Sequence, residues 1–335
     1  MDQNYFEKIK EIEKLLNGWL YRHMSPYGKI VIIKSLALSK LSHIALAVPN
    51  LAKNHLQKLE GILFSFLWSN KTAKISKIDS FKPMKKGGLG MVEVFNFWRA
   101  LKCSWTRRIL HSGAFWPKIL DKTLEPHNLT TNDLMFTGPT KLNSISKEIK
   151  NKFWQNYLVS IGELQREASY AIPENFYLFP VFDNPLFKSG RICLKKLDFG
   201  NPRHKITQVA DFFHSNGQLA TLASVNTLFE TEISRLQLDR IHSAIQYGRT
   251  TLNLNLGICN WHQAPRQSVL IQIASRQLKG CRTFYNIFRA RPNDRGNPPK
   301  HETKWHNLLG AQLSVSFWDN TWKLHSSIKD NNPFK

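Results

Sequence analysis

Nucleotide transfer by two metal ions needs paired carboxylates, and no two aspartates are adjacent anywhere in this sequence. The letters Asp198-Phe199-Gly200 match the kinase DFG, but no glycine-rich loop, VAIK-like lysine or HRD-like loop accompanies them, so the match is read as chance. Cys103, Cys193, Cys259 and Cys281 contain no C-x2-C pair, and the neighbours Cys259 and His262 have no second ligand pair at finger spacing. The cysteines are also too scattered for a disulfide framework, so free thiols in a reducing compartment are expected. No Ser-His-Asp or Cys-His pairing has a local signature. Gly87-Gly88-Leu89-Gly90 lacks the spacing and the trailing Lys-Ser/Thr of a P-loop and reads as a tight turn. No catalytic residue, metal or cofactor is therefore expected. What remains is positive charge.

That charge is large. The chain has 47 Lys+Arg against 24 Asp+Glu, a net +23, with a pI near 9.9. Such a surplus points to a polyanionic partner, most often nucleic acid and less often an anionic membrane. Residues 1–110 alone hold 19 Lys+Arg against 7 Asp+Glu, so the first third is the most basic part. At 335 residues, 42% hydrophobic and 12% aromatic, the chain can bury real cores and has room for two or three domains. The N-terminus is polar and charged, with no signal peptide, so an intracellular protein, nuclear or cytoplasmic, is expected rather than a secreted one. The most apolar run, Ile30 to Val48, is interrupted by Lys34, Lys40 and His43. It reads as too polar to span a bilayer.

The elements that must position these cations follow from periodicity. Residues 2–20 read as a helix with Phe6, Ile9, Ile12, Leu16 and Trp19 as its apolar stripe. Ser25-Pro26 reads as the next helix start, with Ser at the N-cap and Pro at the first position. Ile30, Ile33, Ala37, Leu41 and Ile44 then form its seam. Lys29 and Lys40 are eleven residues apart, close to three turns, and are expected on one face. Lys34 points to another side, and Arg22 lies just upstream. A third helix opens near Pro49 and carries Leu56, Leu59, Leu63, Phe66 and Leu67 on one face. Three such helices with short connections predict a compact bundle.

Asn70 to Lys86 reads as a loop or short-strand region with lysines at 71, 74, 77, 82, 85 and 86. Val94, Trp98, Leu101, Trp105 and Ile109 form another helical stripe, with Arg99, Lys102, Arg107 and Arg108 off it, either as solvated surface or as phosphate contacts. Trp19, Trp68, Trp98 and Trp105 are expected in cores, since their helical spacing with Leu and Ile fits packing better than base stacking. Beyond residue 112 the pattern weakens around Pro117, Pro126 and Pro139. Residues 145–170 and 217–247 look helical, as does the stretch with Val269, Ile273 and Leu278. Prolines and aromatics break the period between Ala171 and Phe213 into short extended segments or turns. Arg291 to Lys300 reads as a linker, followed by a last helical segment. The expected fold is mainly α. An N-terminal basic helical bundle (1–111) is followed by a helical linking stretch (112–172), a mixed, mostly helical domain with short extended segments (173–290), and a linker with a C-terminal helical segment (291–335).

Trp19, Arg22, Ser25, Gly28, Lys29, Ile30, Ile33, Lys34, Leu38, Ser39, Lys40 and Leu41 stand in the pattern W-x-x-R-x-L-S-x-x-G-[RK]-I-x-x-I-K-x-x-x-L-S-[KR]-L. With this pattern the chain resembles the segment just after the polymerase core of LINE-type non-LTR retrotransposon reverse transcriptases. Leu67-Trp68, Pro83 and Lys86-Gly87-Gly88-Leu89-Gly90 resemble a second block of that family. Asn184-Pro185-Leu186, Gly200, Ile206 and Asp211-Phe212-Phe213 resemble a third.

The resemblance implies the thumb and the connector beyond it, without the family's aromatic-x-Asp-Asp catalytic turn, its endonuclease or its zinc knuckle. A thumb grips the template–primer duplex through phosphates, which is sequence-independent and permits sliding. Arg22, Lys29, Lys34 and Lys40 are then expected on backbone phosphates, with Lys71, Lys74, Lys85 and Lys86 adding electrostatic pull. The expected partner is an RNA–DNA hybrid or duplex, with no small-molecule substrate and no transmembrane segment. A polymerase core on another chain would supply the chemistry. Two other readings fit the same sequence: a basic helical protein that binds an anionic membrane or a protein partner, and a decayed element copy without a selected role.

Overall fold

The computed structural model describes residues 2–111, 113–195, 208–214, 216–230, 232–254, 267–276, 280–290, 300–310, 313–314, 316–318 and 320–321. The protein is mainly α, and among the described residues the single sheet is a two-stranded hairpin. The chain forms two compact units, Met1–Trp98 with Asn293–Lys335, and Arg99–Pro292.

The first unit is built on three helical runs. Helix α1 (Asp2–Leu20) buries Tyr5, Ile9, Ile12 and Leu16, while Phe6 of the predicted stripe stays partly exposed. Ser25 caps α2 (Pro26–Ile32) by accepting the Gly28 N–H at 3.3 Å, with Pro26 in the first turn as predicted. The run then passes through a π-helical turn (Ile33–Ala37) into α3 (Leu38–Ala47). Helix α4 (Lys53–Leu67) buries the five predicted residues Leu56, Leu59, Leu63, Phe66 and Leu67. It starts after Ala52 rather than at Pro49. Helix α1 packs on both α3 and α4, and α2 packs on α4.

The π turn changes the register of this bundle. A π turn holds one more residue than an α turn, so every later side chain is displaced by about 100° from its α-helical place. The buried seam accordingly runs Ile30, Ile33, Ala37 and then Leu38, Leu41 and Ala45, while Ile44 is only half-buried. By length and composition the 22-residue run Pro26–Ala47 is long and apolar enough to cross a membrane, which corrects the expectation that it is too polar. Its Ile, Leu and Ala residues outweigh Lys34, Lys40 and His43. Here its seam packs within the bundle.

After α4 the chain turns through Ser69 and Asn70, both left-handed, with φ of 55° and 58°. The lysine-rich stretch then holds a short helix, α5 (Lys77–Phe81), and a 3-10 turn (Met84–Lys86). These replace the predicted loop or strand. Ser76 caps α5 on the Asp79 N–H at 3.0 Å. Buried Asp79 also pairs with Lys82 at 2.9 Å. The glycine cluster is a tight turn: Gly87 and Gly90 have φ of +72° and +69°. Its amides donate to nearby carbonyls, Gly88 N to Pro83 O at 3.0 Å and Gly90 N to Lys82 O at 2.8 Å, and are not left to cradle an anion. In the C-terminal part of this unit α16 (Lys300–Leu309) is followed by helical residues at 316–318 and 320–321, and Trp318 Nε1 donates to His306 Nε2 at 2.9 Å.

The stripe predicted over 94–109 begins in the first unit and runs on into the second. All five of its apolar residues are buried, but the helix breaks at Ser104 into α6 (Val94–Cys103) and α7 (Trp105–Leu110). Three helices come next: α8 (Trp116–Leu124), α9 (Thr131–Met135), which opens on a Thr130–Asp133 capping box, and α10 (Pro139–Glu148). Helix α11 (Lys152–Ala171) starts on an Asn151 cap and packs along α10. Trp105, Phe153, Trp154 and Tyr157 meet edge to face at 5.0–6.2 Å and form an aromatic core.

Prolines and aromatics then break the helical period, as the sequence predicts. A 3-10 segment (Pro173–Leu178) leads to strands β1 (Lys188–Ser189) and β2 (Ile192–Cys193). Asn184, in the Asn-Pro-Leu block, accepts from Leu186 N at 3.1 Å and donates to Pro180 O at 2.9 Å, so that block is a buried turn. The rest is α12 (Leu222–Phe229), α13 (Arg235–Thr251), α14 (Val269–Ser275) and α15 (Arg282–Arg289). Asp198-Phe199-Gly200, Ile206, Cys259, His262, Leu278 and the linker at 291–299 lie outside the described residues.

Candidate nucleic-acid interface

The basic residues singled out in the first unit fall into two groups. One lines an open groove of about 550 Å3 along α1 and α3, walled by Glu11, Lys14, Leu15, Trp19, Arg22 and Lys40, with Gly18 in its lining. Arg22 is exposed and its guanidinium stacks over the Trp19 ring at 4.3 Å, which holds a flexible cation in one place. Lys40 reaches the Glu11 carboxylate at 3.7 Å, and Lys8 bonds the same carboxylate at 2.8 Å. The Lys8 hydrogen bond, helped by the charges of Lys8 and Lys40, holds the Glu11 carboxyl below its ordinary value. The groove thus carries three cations against one carboxylate. Lys14 was not singled out by sequence, yet Glu11, Lys14 and Gly18 recur at helical spacing on the side of α1 opposite its seam. That spacing is the signal that could have found it.

The second group is the lysine-rich stretch after α4. Lys71, Lys74, Lys85 and Lys86 are all exposed. Two others in this stretch are engaged within the protein: Lys77 pairs with Glu60 at 2.7 Å and Lys82 with Asp79. The loop therefore offers four cations, set by the α5 cap and by the glycine turn.

Lys29 does not share a face with Lys40. It is 4% exposed, its amine bonds the Ser69 hydroxyl, and it lies 5.4 Å over the Phe66 ring. Burial, and secondarily the charge of Lys71, pushes its pKa down. The π turn between 29 and 40 breaks the three-turn register that placed the two lysines together. Lys29 ties α2 to the end of α4 and is not placed to meet a phosphate. Lys34 is exposed on the outer side of the π turn.

The four cations off the next stripe sit in the second unit, and three of them are engaged within the protein. Arg99 pairs with Glu163 at 2.7 Å. Lys102 is fully buried, 4.5 Å over the Phe153 ring, and burial lowers its pKa to about 7. Arg107 donates to the carbonyls of Ala274 at 2.9 Å and Arg276 at 3.5 Å, and also to Gly280 O, gathering the end of α14 and the turn before α15. Arg108 alone is exposed, 4.8 Å over Trp105. Arg107→Met is expected to lower stability by about 2–3 kcal/mol, because the carbonyls lose charged donors. Urea denaturation measures this, and an unchanged midpoint would show that the three contacts are not held. Of the four tryptophans, Trp98 and Trp105 are core residues, whereas Trp19 and Trp68 are half-buried.

Among the described residues no group of three His, Cys, Asp or Glu side chains could hold a metal ion. The sequence matches no protein-family model. Within its first unit the chain is a basic helical bundle with one cation-lined groove and one lysine loop.

Proposed function

We propose that the chain is a retrotransposon-derived reverse transcriptase fragment, thumb and connector, that binds the backbone of a template–primer duplex without regard to sequence and performs no chemistry of its own. The observation that carries this reading is the exposure of Arg22, Lys34, Lys40, Lys71, Lys74, Lys85 and Lys86 on one compact unit. The resemblance over Trp19–Leu41 supports it. A duplex backbone is a repeating line of phosphates, and cations spread over a groove and a loop suit such a line better than a single small anion. Lys14 joins the contact set, and Lys29 leaves it for the interior.

The test is a salt titration of binding to an RNA–DNA hybrid. If four to six phosphates are neutralised, log K falls against log salt with a slope of roughly −4 to −5. Replacing Lys71, Lys74, Lys85 and Lys86 together by Ala is expected to flatten that slope by about 3–4. Undetectable binding at low salt, or anionic vesicles outcompeting the hybrid at equal salt, would reject the reading.

A further inference from the structure

The geometry points to a second nucleic-acid site, on the second unit: a platform at the start of α8 that takes the unpaired bases of a single strand. Phe115 and Trp116 stand there side by side, 67% and 43% exposed. Helix α8 is held in the fold by its buried Leu120 and Leu124, so neither ring is needed to bury that helix. Trp116 is nevertheless fixed. Its ring meets Trp105 edge to face at 5.0 Å, and Trp105 is locked in turn by Phe153 at 5.0 Å and Trp154 at 6.2 Å. An aromatic ring held from behind and open to water loses little freedom when a base stacks on it. Every base presents such a face, so the recognition is tolerant of sequence.

Charge complementarity selects the occupant. Lys118 lines the hollow beside Phe115, Arg108 lies over the Trp105 ring that backs Trp116, and Lys122 is exposed one turn further along α8. The acid between the lysines, Asp121, is engaged, its Oδ1 accepting the Thr131 N–H at 2.6 Å and the Thr131 hydroxyl at 2.7 Å. Beside Phe115 opens a pocket of about 460 Å3 whose wall includes Lys118, Asn132 and the Thr131-bonded Asp121, with Trp116 outside it, a volume within the roughly 300–1,000 Å3 of ligand pockets. A hollow next to a ring and a lysine suits a base with its phosphate. A membrane surface asks instead for apolar side chains that protrude on a broad face, and the wall here is partly polar. A paired duplex hides its base faces, so this platform distinguishes single strands from the duplex proposed for the first unit.

The experiment compares a short oligothymidylate with an RNA–DNA hybrid, using the full chain and Phe115→Ser/Trp116→Ser. Oligothymidylate affinity is expected to fall about 10- to 100-fold while hybrid affinity holds. Phe115→Ser alone changes only the more exposed ring and gives the same direction if the double variant is unstable. Lys118→Ala/Lys122→Ala is expected to reduce the single-strand salt slope by about 1.4. No loss on oligothymidylate, or an equal loss on both substrates, overturns the platform. Loss of binding to phosphatidylserine vesicles with oligothymidylate binding intact overturns it in favour of a membrane surface. Failure of the duplex reading shows instead as absent hybrid binding by the unaltered chain, so the two failures are separable.

Discussion

Lys102→Met is expected to stabilise the protein by about 4 kcal/mol at pH 7 and by only about 2 kcal/mol at pH 9. Lys102 is fully buried on α6, with the Phe153 ring 4.5 Å from its amine. Burial lowers its pKa from the ordinary value near 10.5 to about 7. The unfolded chain therefore holds this proton up to pH 10.5 or so, while the folded chain releases it near 7. Between those limits the unfolded state binds more protons, so this group makes stability rise with pH. Below about pH 7 both states hold the proton, and the penalty stays constant at its largest. Methionine fills a similar volume without a charge to desolvate. Urea denaturation of the two proteins at both pH values reads the difference. A variant no more stable at pH 7 would mean that the amine reaches water, and a gain that does not shrink at pH 9 would mean that it comes from packing and not from the proton.

Lys102 also shows where sequence reading stops. Periodicity places a residue on or off a stripe, and Lys102 is off the Val94–Ile109 stripe. It cannot tell what is later laid against the other side. Helix α11 brings Phe153 over Lys102 and Glu163 to Arg99, and the end of α14 brings carbonyls to Arg107. All three are non-local contacts, so of three cations that read as surface one is buried and two are half-buried and engaged within the fold. Where a local signal decides, the reading agrees with the structure. Ser25-Pro26 starts a helix, the α4 leucines are buried, and prolines end the helical period after Ala171. The lysine loop of the candidate site was legible because charge needs no partner to be exposed. The groove was only partly legible. One π turn, which no residue pattern announces, takes Lys40 out of register with the buried Lys29, so that Arg22, Lys40 and the unpredicted Lys14 line it.

Gly88→Ala is expected to cost about 3 kcal/mol and to weaken hybrid binding without altering a single charge. A Cβ at Gly88 would lie 2.2 Å from Lys82 O, 2.5 Å from Lys82 C and 2.5 Å from Lys82 Cβ. Two of those atoms are backbone, so no side-chain rotation relieves the overlap and the turn must open. The same turn is closed by Gly90 N on Lys82 O and by Met91 N on Ser80 O at 2.9 Å, and it sets where the chain carries Lys85 and Lys86. Opening it leaves the charge of the loop intact but blurs its placement, so the salt slope flattens along with the affinity. Gly61→Ala is the matched control. Gly61 sits in α4 with nothing within 4 Å of its would-be Cβ, and the change is expected to add roughly 0.5–1 kcal/mol of helix stability and to leave binding alone. If Gly88→Ala folds less stably yet binds the hybrid with an unchanged slope, the loop lysines act as diffuse charge and not as positioned contacts. If its binding falls in step with that of the four-lysine variant, the glycine turn is what aims them.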